Sequence, residues 1–380
     1  MEKCMLIKNG RIVDPARGIN QAGDIFVENG KVVEHLHLDR LKDGSIIDAG
    51  GCLVVPGLID LHAHLFFRGT DAGIPADAAL LPSGVTTAVD GGSAGSANYE
   101  LFQSSVVATS MVRIKSFLNV SPGGLATARH EEPINPKSFD RDKIAWLFRQ
   151  YPDHLIGLKL RQSRGVVGNL GLEPLKAAIE ISENLSCPVA VHTTDPPSAT
   201  EDLVELLRPG DIFVHAYHGV GNTILGANRH VLPAVRKARE RGVLFDAANG
   251  RNHFSFDTAF AALADGFEPD IISTDLTTLT WNKPPVYSLP FVISKYLNMG
   301  MALPAALAAC TAVSARLLGM TGIIGTLAPG AEADIAILRL EERETEFLDA
   351  RGQKHLGNQL LIPQATVRAG RIVYRNCGSV

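Results

Sequence analysis

The sequence predicts an α/β protein, a (β/α)8 TIM barrel carrying a small β-sandwich built from both chain termini. Three observations predict it. Between residues 56 and 325, short apolar segments alternate with longer Ala-rich stretches, the pattern of parallel strands joined by crossover helices. Eight such units fit in about 270 residues, close to the usual barrel size of about 250. The flanks, 1–55 and 326–380, read instead as short strands and tight turns, and neither holds enough strands for a core of its own, so the two are expected to pack as one composite domain.

Taken in order, the first flank offers strands at 5–8, 11–13, 24–27 and 31–33, with Asn9-Gly10 and Asn29-Gly30 between apolar runs as hairpin signals. The barrel strands are expected at 58–64, 85–90, 114–120, 156–160, 188–192, 211–215, 243–247 and 271–275, with helical stretches such as 172–184 and 232–241 between them. The closing flank resumes the β style at 333–338 and 364–374. A doubly wound open sheet is the competing architecture, but no Gly-x-Gly-x-x-Gly follows the first strand. Gly219-Val220-Gly221 resembles part of a phosphate loop yet lacks the Lys or acidic partner that would support that role. There is no repeat of solenoid period and no low-complexity segment.

With 46% hydrophobic and 20% charged residues among 380, the chain is expected to be globular and ordered. A formal charge of −4 without a Lys/Arg-rich block argues against nucleic acid or an anionic membrane as partner and favours a small molecule. The five cysteines, Cys4, Cys52, Cys187, Cys310 and Cys377, are scattered and never in a Cys-x-x-Cys pair, which suggests reduced thiols in a cytoplasmic protein. Met1-Glu2-Lys3-Cys4-Met5 lacks the apolar core of a signal peptide, and the most apolar helical stretch, 301–313, is short and contains Pro304.

The chemistry is carried by strand ends. Residues i and i+2 of a strand share a face, so His62 and His64 can hold one metal ion. Active sites of TIM barrels lie at the C-terminal ends of the strands, and the predicted strand ends carry His62, His64, His192, His215 and Asp275, with Lys159 in the fourth strand. Singly, His192 or His215 is more often a structural histidine; at matching strand ends the group points to metal ligation. Imidazoles and a carboxylate suit two borderline metal ions. A buried lysine favours its neutral amine, which can add carbon dioxide to give a carbamate, so a carboxylated Lys159 bridging the two ions is the expectation.

On these residues, and on Pro56-Gly57-Leu58-Ile59-Asp60-Leu61-His62-Ala63-His64, Gly157-Leu158-Lys159-Leu160-Arg161, Ile272-Ser273-Thr274-Asp275 and Gly325-Thr326-Leu327-Ala328-Pro329-Gly330-Ala331-Glu332-Ala333-Asp334-Ile335, the chain resembles the metal-dependent amidohydrolase superfamily, in its dihydroorotase-like amidohydrolase/deacetylase branch. The resemblance implies a binuclear site of two Zn2+ ions: His62, His64 and Asp275 on one, His192 and His215 on the other, and N6-carboxylysine at Lys159 between them. It also implies attack by a metal-bridging hydroxide, with Asp275 as the catalytic proton shuttle.

Loops after the strands supply candidate substrate-binding groups: Arg68, Arg161, Arg164, Tyr217, His218 and Arg251, the last with His253 nearby. Arginine suits a carboxylate, so a small anionic substrate is expected. For any one arginine, surface solvation or a structural ion pair is an equal reading. The branch often has a His near Asn249, so specificity is expected to differ there. The function implied is zinc-dependent hydrolysis of amide bonds, with esters as an extension, in small acylated amino or hydroxy acids. Cyclic-amide hydrolysis of the dihydroorotase or hydantoinase kind is the alternative, and a non-catalytic scaffold is the remaining one. A homo-oligomer is expected.

Overall fold

The computed structural model describes residues 4–37, 41 and 45–376. Residues 1–3 and Cys377, at the outermost ends of the expected composite domain, lie outside the described residues. No disulfide joins the described cysteines. Among the described residues no helix is long and apolar enough to cross a membrane.

Among the described residues, fifteen strands fall into two sheets. The termini supply β1 (Cys4–Asp14), β2 (Ile19–Glu28), β3 (Lys31–Val33), β4 (Ile46–Asp48) and β5 (Leu53–Pro56), and later β13 (Ile335–Leu348), β14 (Lys354–Arg368) and β15 (Arg371–Arg375). They form one mixed sheet in the order β15-β14-β13-β5-β1-β2-β3, with β4 paired to β1. β13 lies antiparallel to β5, so neither end of the chain is a sheet alone. Val27, Val32, Val54, Ile335, Ile337 and Val367 bury together in a core separate from that of the barrel. The fully buried Asp14 accepts hydrogen bonds from Thr326 Oγ1 and Leu327 N, both at 2.8 Å, and so ties β1 to the chain 312 residues later.

The two Asn-Gly signals resolve differently. Asn29-Gly30 is the hairpin turn expected, both residues with positive φ between the paired Glu28 and Lys31. Asn9-Gly10 turns no hairpin: β1 runs through it, and the pairing with β2 shifts register between Ile7 and Gly10. Asn9 takes φ 63°, its N–H donating to Asp24 Oδ1 at 2.9 Å. The local signal is spent on a β-bulge because flanking apolar residues on both sides are needed in the same strand.

The second sheet is parallel and runs in sequence order: β6 (Leu58–Ala63), β7 (Val85–Asp90), β8 (Arg113–Asn119), β9 (Leu155–Arg161), β10 (Val189–His192), β11 (Ile212–Val214) and β12 (Leu244–Asp246). The eighth segment, 271–275, is not a regular strand. It closes the barrel through isolated bridges, Ile271 to Asp246 on one side and Leu276 to Ala63 on the other, with Asp275 N donating to His62 O at 2.7 Å. The departure has a tertiary cause: the buried Asp60 carboxylate accepts Thr274 N (3.1 Å) and Thr274 Oγ1 (2.6 Å), and Asp275 takes φ 51°. Ile59, Leu61, Val89, Phe117, Ile212 and Val214 fill the interior. Helices cover the outside; that at Glu173–Leu185 buries Leu175, Ala178 and Ile181, an i, i+3, i+6 stripe, against the strands.

Candidate metal centre

At the C-terminal mouth of the barrel, strand ends from far apart in the chain converge. Two clusters of metal-ligating atoms form, each with its atoms within 4.8 Å of one another: His62, His64 and Asp275, and His192, His215 and His253. The His62 and His215 rings, one from each cluster, have centroids 5.5 Å apart, so the clusters adjoin. His64 Nε2 lies 3.1 Å from Asp275 Oδ1, and His192 Nδ1 lies 2.9 Å from His215 Nε2. Backbone strain is present here, with φ 66° at His215, 51° at Asp275 and 33° at Ala248, none of them glycine. Glycine is needed where the walls press closest: a Cβ on Gly91 would overlap the His62 ring, and one on Gly250 would overlap the Asp275 carboxylate.

The imidazoles are oriented from behind. His64 Nδ1 pairs with Ser93 Oγ at 2.9 Å, His253 Nδ1 with Thr194 Oγ1 at 2.9 Å, and His215 Nδ1 donates to Ala248 O at 2.7 Å. His62 Nδ1 lies 3.8 Å from Asp246 Oδ2, and Asp246 is itself held by Ser273 Oγ at 2.7 Å. Such partners fix ring tautomer and direction and leave the other nitrogen for the cluster. Burial keeps the rings neutral: the His62 and His253 imidazoles are pushed down to about 4, and His192 and His215 well below their ordinary value. Burial works to raise the Asp275 carboxyl, but the hydrogen bond with His64 and the nearby His62, His64 and His253 together hold it below the usual carboxylate range. Neutral imidazole nitrogens with an ionised carboxylate are the donor set that borderline divalent ions take, and three protein ligands per cluster leave coordination positions open. The residues therefore fit a catalytic metal.

The expectation of two zinc ions bridged by carboxylated Lys159 is overturned by this placement. Lys159 belongs to neither cluster; its Nζ faces His62 Nε2 at 3.2 Å, and His253 takes the third corner beside His192 and His215. Burial lowers the Lys159 ammonium to about 8, with Asp275 and Asp246 opposing the shift. His253 sits on the loop after β12, outside any strand period, and its spacing from Asn249 is the one signal that could have marked it. Asn249 is buried, its Oδ1 accepting from Tyr296 O–H at 3.1 Å.

Above the clusters is a chamber of about 140 Å3, lined by Asn119, Leu125, Arg161 and Thr277 together with ligand residues. Of the six residues expected to bind substrate, Arg161 lines it, and its Nη1 donates to Glu132 Oε2 at 2.7 Å. Arg164 turns outward to Pro196 O (3.3 Å), Arg68 is exposed against the Phe67 ring, and Arg251 is exposed. Tyr217 points into the helix layer, where its O–H donates to Phe267 O at 2.7 Å. His218 is buried with Nε2 unpartnered, and burial pushes its imidazole down to about 4. A larger cavity of about 680 Å3 opens under Leu61 and Phe117, away from both clusters.

The chain matches a deacetylase of Agrobacterium fabrum at 32% identity over 367 residues, 96% of this chain and 90% of that one. The chain belongs to the metal-dependent amidohydrolase superfamily. A model of the Amidohydrolase family matches residues 297–374. The solved structure of a dihydroorotase superposes on this amidohydrolase with TM-score 0.89 at 30% identity, covering 98% of each chain. That of an adenine deaminase does so with TM-score 0.89 at 27% identity, covering 98% of this chain and 99% of the other. This amidohydrolase is a metal-dependent hydrolase of C–N bonds other than peptide bonds.

The depressed imidazoles set a pH expectation for the metal-free protein. A ligand held neutral by burial is already bare at pH 7, so metal uptake at neutral pH should release almost no protons from His62, His192, His215 or His253. At the His192, His215 and His253 cluster, affinity should stay flat as pH falls from 7 to 5 and drop as it approaches 4, where His253 takes up its proton. Calorimetric metal titration in buffers of different ionisation enthalpy measures this; release of two or more protons per ion at pH 7 would contradict it.

Proposed function

We propose that this amidohydrolase opens the ring amide of a compact cyclic substrate, of the dihydroorotate or hydantoin kind. The observation that carries the reading is the chamber: about 140 Å3, directly over the two clusters, and well below the roughly 300 Å3 at which pockets for larger ligands begin. A ring presents its carbonyl and nitrogen in a fixed arrangement, so little rotational freedom is lost on entering so small a space. The dihydroorotase structure that matches at 30% identity supports the same choice.

In this proposal His62, His64 and Asp275 would hold one ion, and His192, His215 and His253 another. A bound divalent ion lowers the pKa of water and polarises a carbonyl oxygen. The protein's own part is to position and to move protons. Asp275, ionised and at the edge of the chamber, accepts a proton from the attacking water and hands it to the departing nitrogen. Ser93, Thr194 and the Ala248 carbonyl keep the imidazoles from rotating, and Asn119 and Thr277 bound the space in which the ring lies.

One observation favours a second reading, hydrolysis of an acyclic acyl amide: the relative that matches over 96% of this chain is a deacetylase. A panel of dihydroorotate, hydantoin and dihydrouracil against N-acetyl amino acids decides. The proposal expects turnover of at least one ring, with kcat/KM above that of every acyclic amide; the reverse order would transfer the assignment to deacylation.

A further inference from the structure

Outside the chamber lies a polar cleft of about 700 Å3, whose walls include Glu132, Asn135, Ser138 and Ser163. Arg161 lines both spaces and so stands between them. Its partner Glu132 is unusual: the side chain is only 4% exposed, Oε2 accepts from Arg161 Nη1 at 2.7 Å, Asn119 lies beside the carboxylate, and Oε1 is buried without a hydrogen bond of regular geometry. A buried carboxylate oxygen without a donor is costly, and this one belongs to a residue lining the cleft beside Arg161, where a ligand N–H can satisfy it.

The charge of the pair decides which ligand. Arg161 and Glu132 neutralise each other, so an approaching carboxylate meets Glu132 as well as Arg161, and an approaching ammonium meets Arg161 as well as Glu132. What remains open is a vacant acceptor, Glu132 Oε1, beside the Arg161 guanidinium nitrogens that the carboxylate does not engage. A neutral amide or ureide presents the complement, an N–H next to a C=O.

We propose that Glu132 and Arg161 form a subsite that reads a carboxamide or ureide N–H and C=O on the substrate, beyond the bond that is cut. The N–H donates to Glu132 Oε1, and the carbonyl accepts from the free guanidinium N–H groups. The subsite deepens the amide-hydrolase reading and rests on it for the word substrate. It replaces the anionic head group suggested by counting arginines with a neutral one.

Equilibrium binding to the metal-loaded protein tests it, using two probes: N-acetylsarcosinamide, whose primary amide carries its only N–H groups, and its N,N-dimethylamide, which has no N–H. Wild type is expected to bind the first about tenfold or more tightly than the second. Glu132→Gln, whose amide would turn an N–H toward the ligand once its oxygen faces Arg161, is expected to lose that preference with its melting temperature and metal content unchanged. Equal or undetectable binding of both probes by wild type overturns the subsite, as does a preference that survives in Glu132→Gln. If the variant cannot be purified, the wild-type comparison decides by itself. Because the readout is binding, a protein that discriminates the probes but hydrolyses no cyclic or acyclic amide sinks the proposed function and leaves the subsite standing.

Discussion

Asp275→Asn lowers kcat on the best substrate of the ring panel by about 10²- to 10⁴-fold, the range that a positioned proton carrier supplies. Asparagine matches aspartate in shape and still offers an oxygen to the His62 and His64 cluster, but it cannot accept the proton of the attacking water. The carboxylate suits the role because it is ionised throughout the neutral range despite full burial, through the His64 contact at 3.1 Å and the nearby His62 and His253. The loss should appear in kcat rather than in KM. Metal content measured on the same preparation separates loss of the proton carrier from loss of a ligand. A variant that keeps its metal and its turnover would show that the proton travels by another group.

The second large effect is expected at His253, the ligand position that no strand pattern marks. His253→Ala removes one of three donors from the His192 and His215 cluster and is expected to weaken metal binding there by at least about 100-fold, more than the usual cost of an outer partner. Turnover should fall with it and recover in part at high metal concentration. Metal analysis after dialysis, with kcat measured against added metal, checks both. Full metal retention in His253→Ala would place the third donor elsewhere. Thr194→Val is the gentler companion: it removes the hydroxyl that holds His253 Nδ1 at 2.9 Å and should cost about 10- to 100-fold in affinity while leaving all donors present.

Much of this site was legible because two rules act together. The period of a strand puts His62 and His64 at one end of the barrel, and the barrel puts every strand's C-terminal end at the same mouth, so His192, His215 and Asp275 could be gathered before any contact was known. His253 escaped because a loop has no period. Lys159 was expected as a carboxylated bridge between two ions but lines the chamber wall with Nζ 3.2 Å from His62 Nε2: spacing tells which strand a side chain is on, not what its last atom meets. Loop arginines were the least readable. Arg161 reached the chamber because it ends β9, whereas Arg68, Arg164 and Arg251 stand on connections whose course the sequence leaves open.

The fold divides in the same way. Seven of the barrel strands follow from apolar runs that need no tertiary help, while 271–275 bends because the buried carboxylate of Asp60, more than 200 residues earlier, claims both the backbone and the side chain of Thr274. Asn9-Gly10 shows the limit of a local turn signal, since β5 and β2 pair on either side of β1 and hold it as one strand.

The proposed chemistry requires the two triads at the barrel mouth to hold metal. Anomalous scattering at the absorption edge of the bound metal, from crystals of protein purified without chelator, tests this most directly. The prediction is a peak within ligand distance of His62, His64 and Asp275 and another within ligand distance of His192, His215 and His253. Scattering that leaves both triads empty, with metal elsewhere or absent, would contradict it.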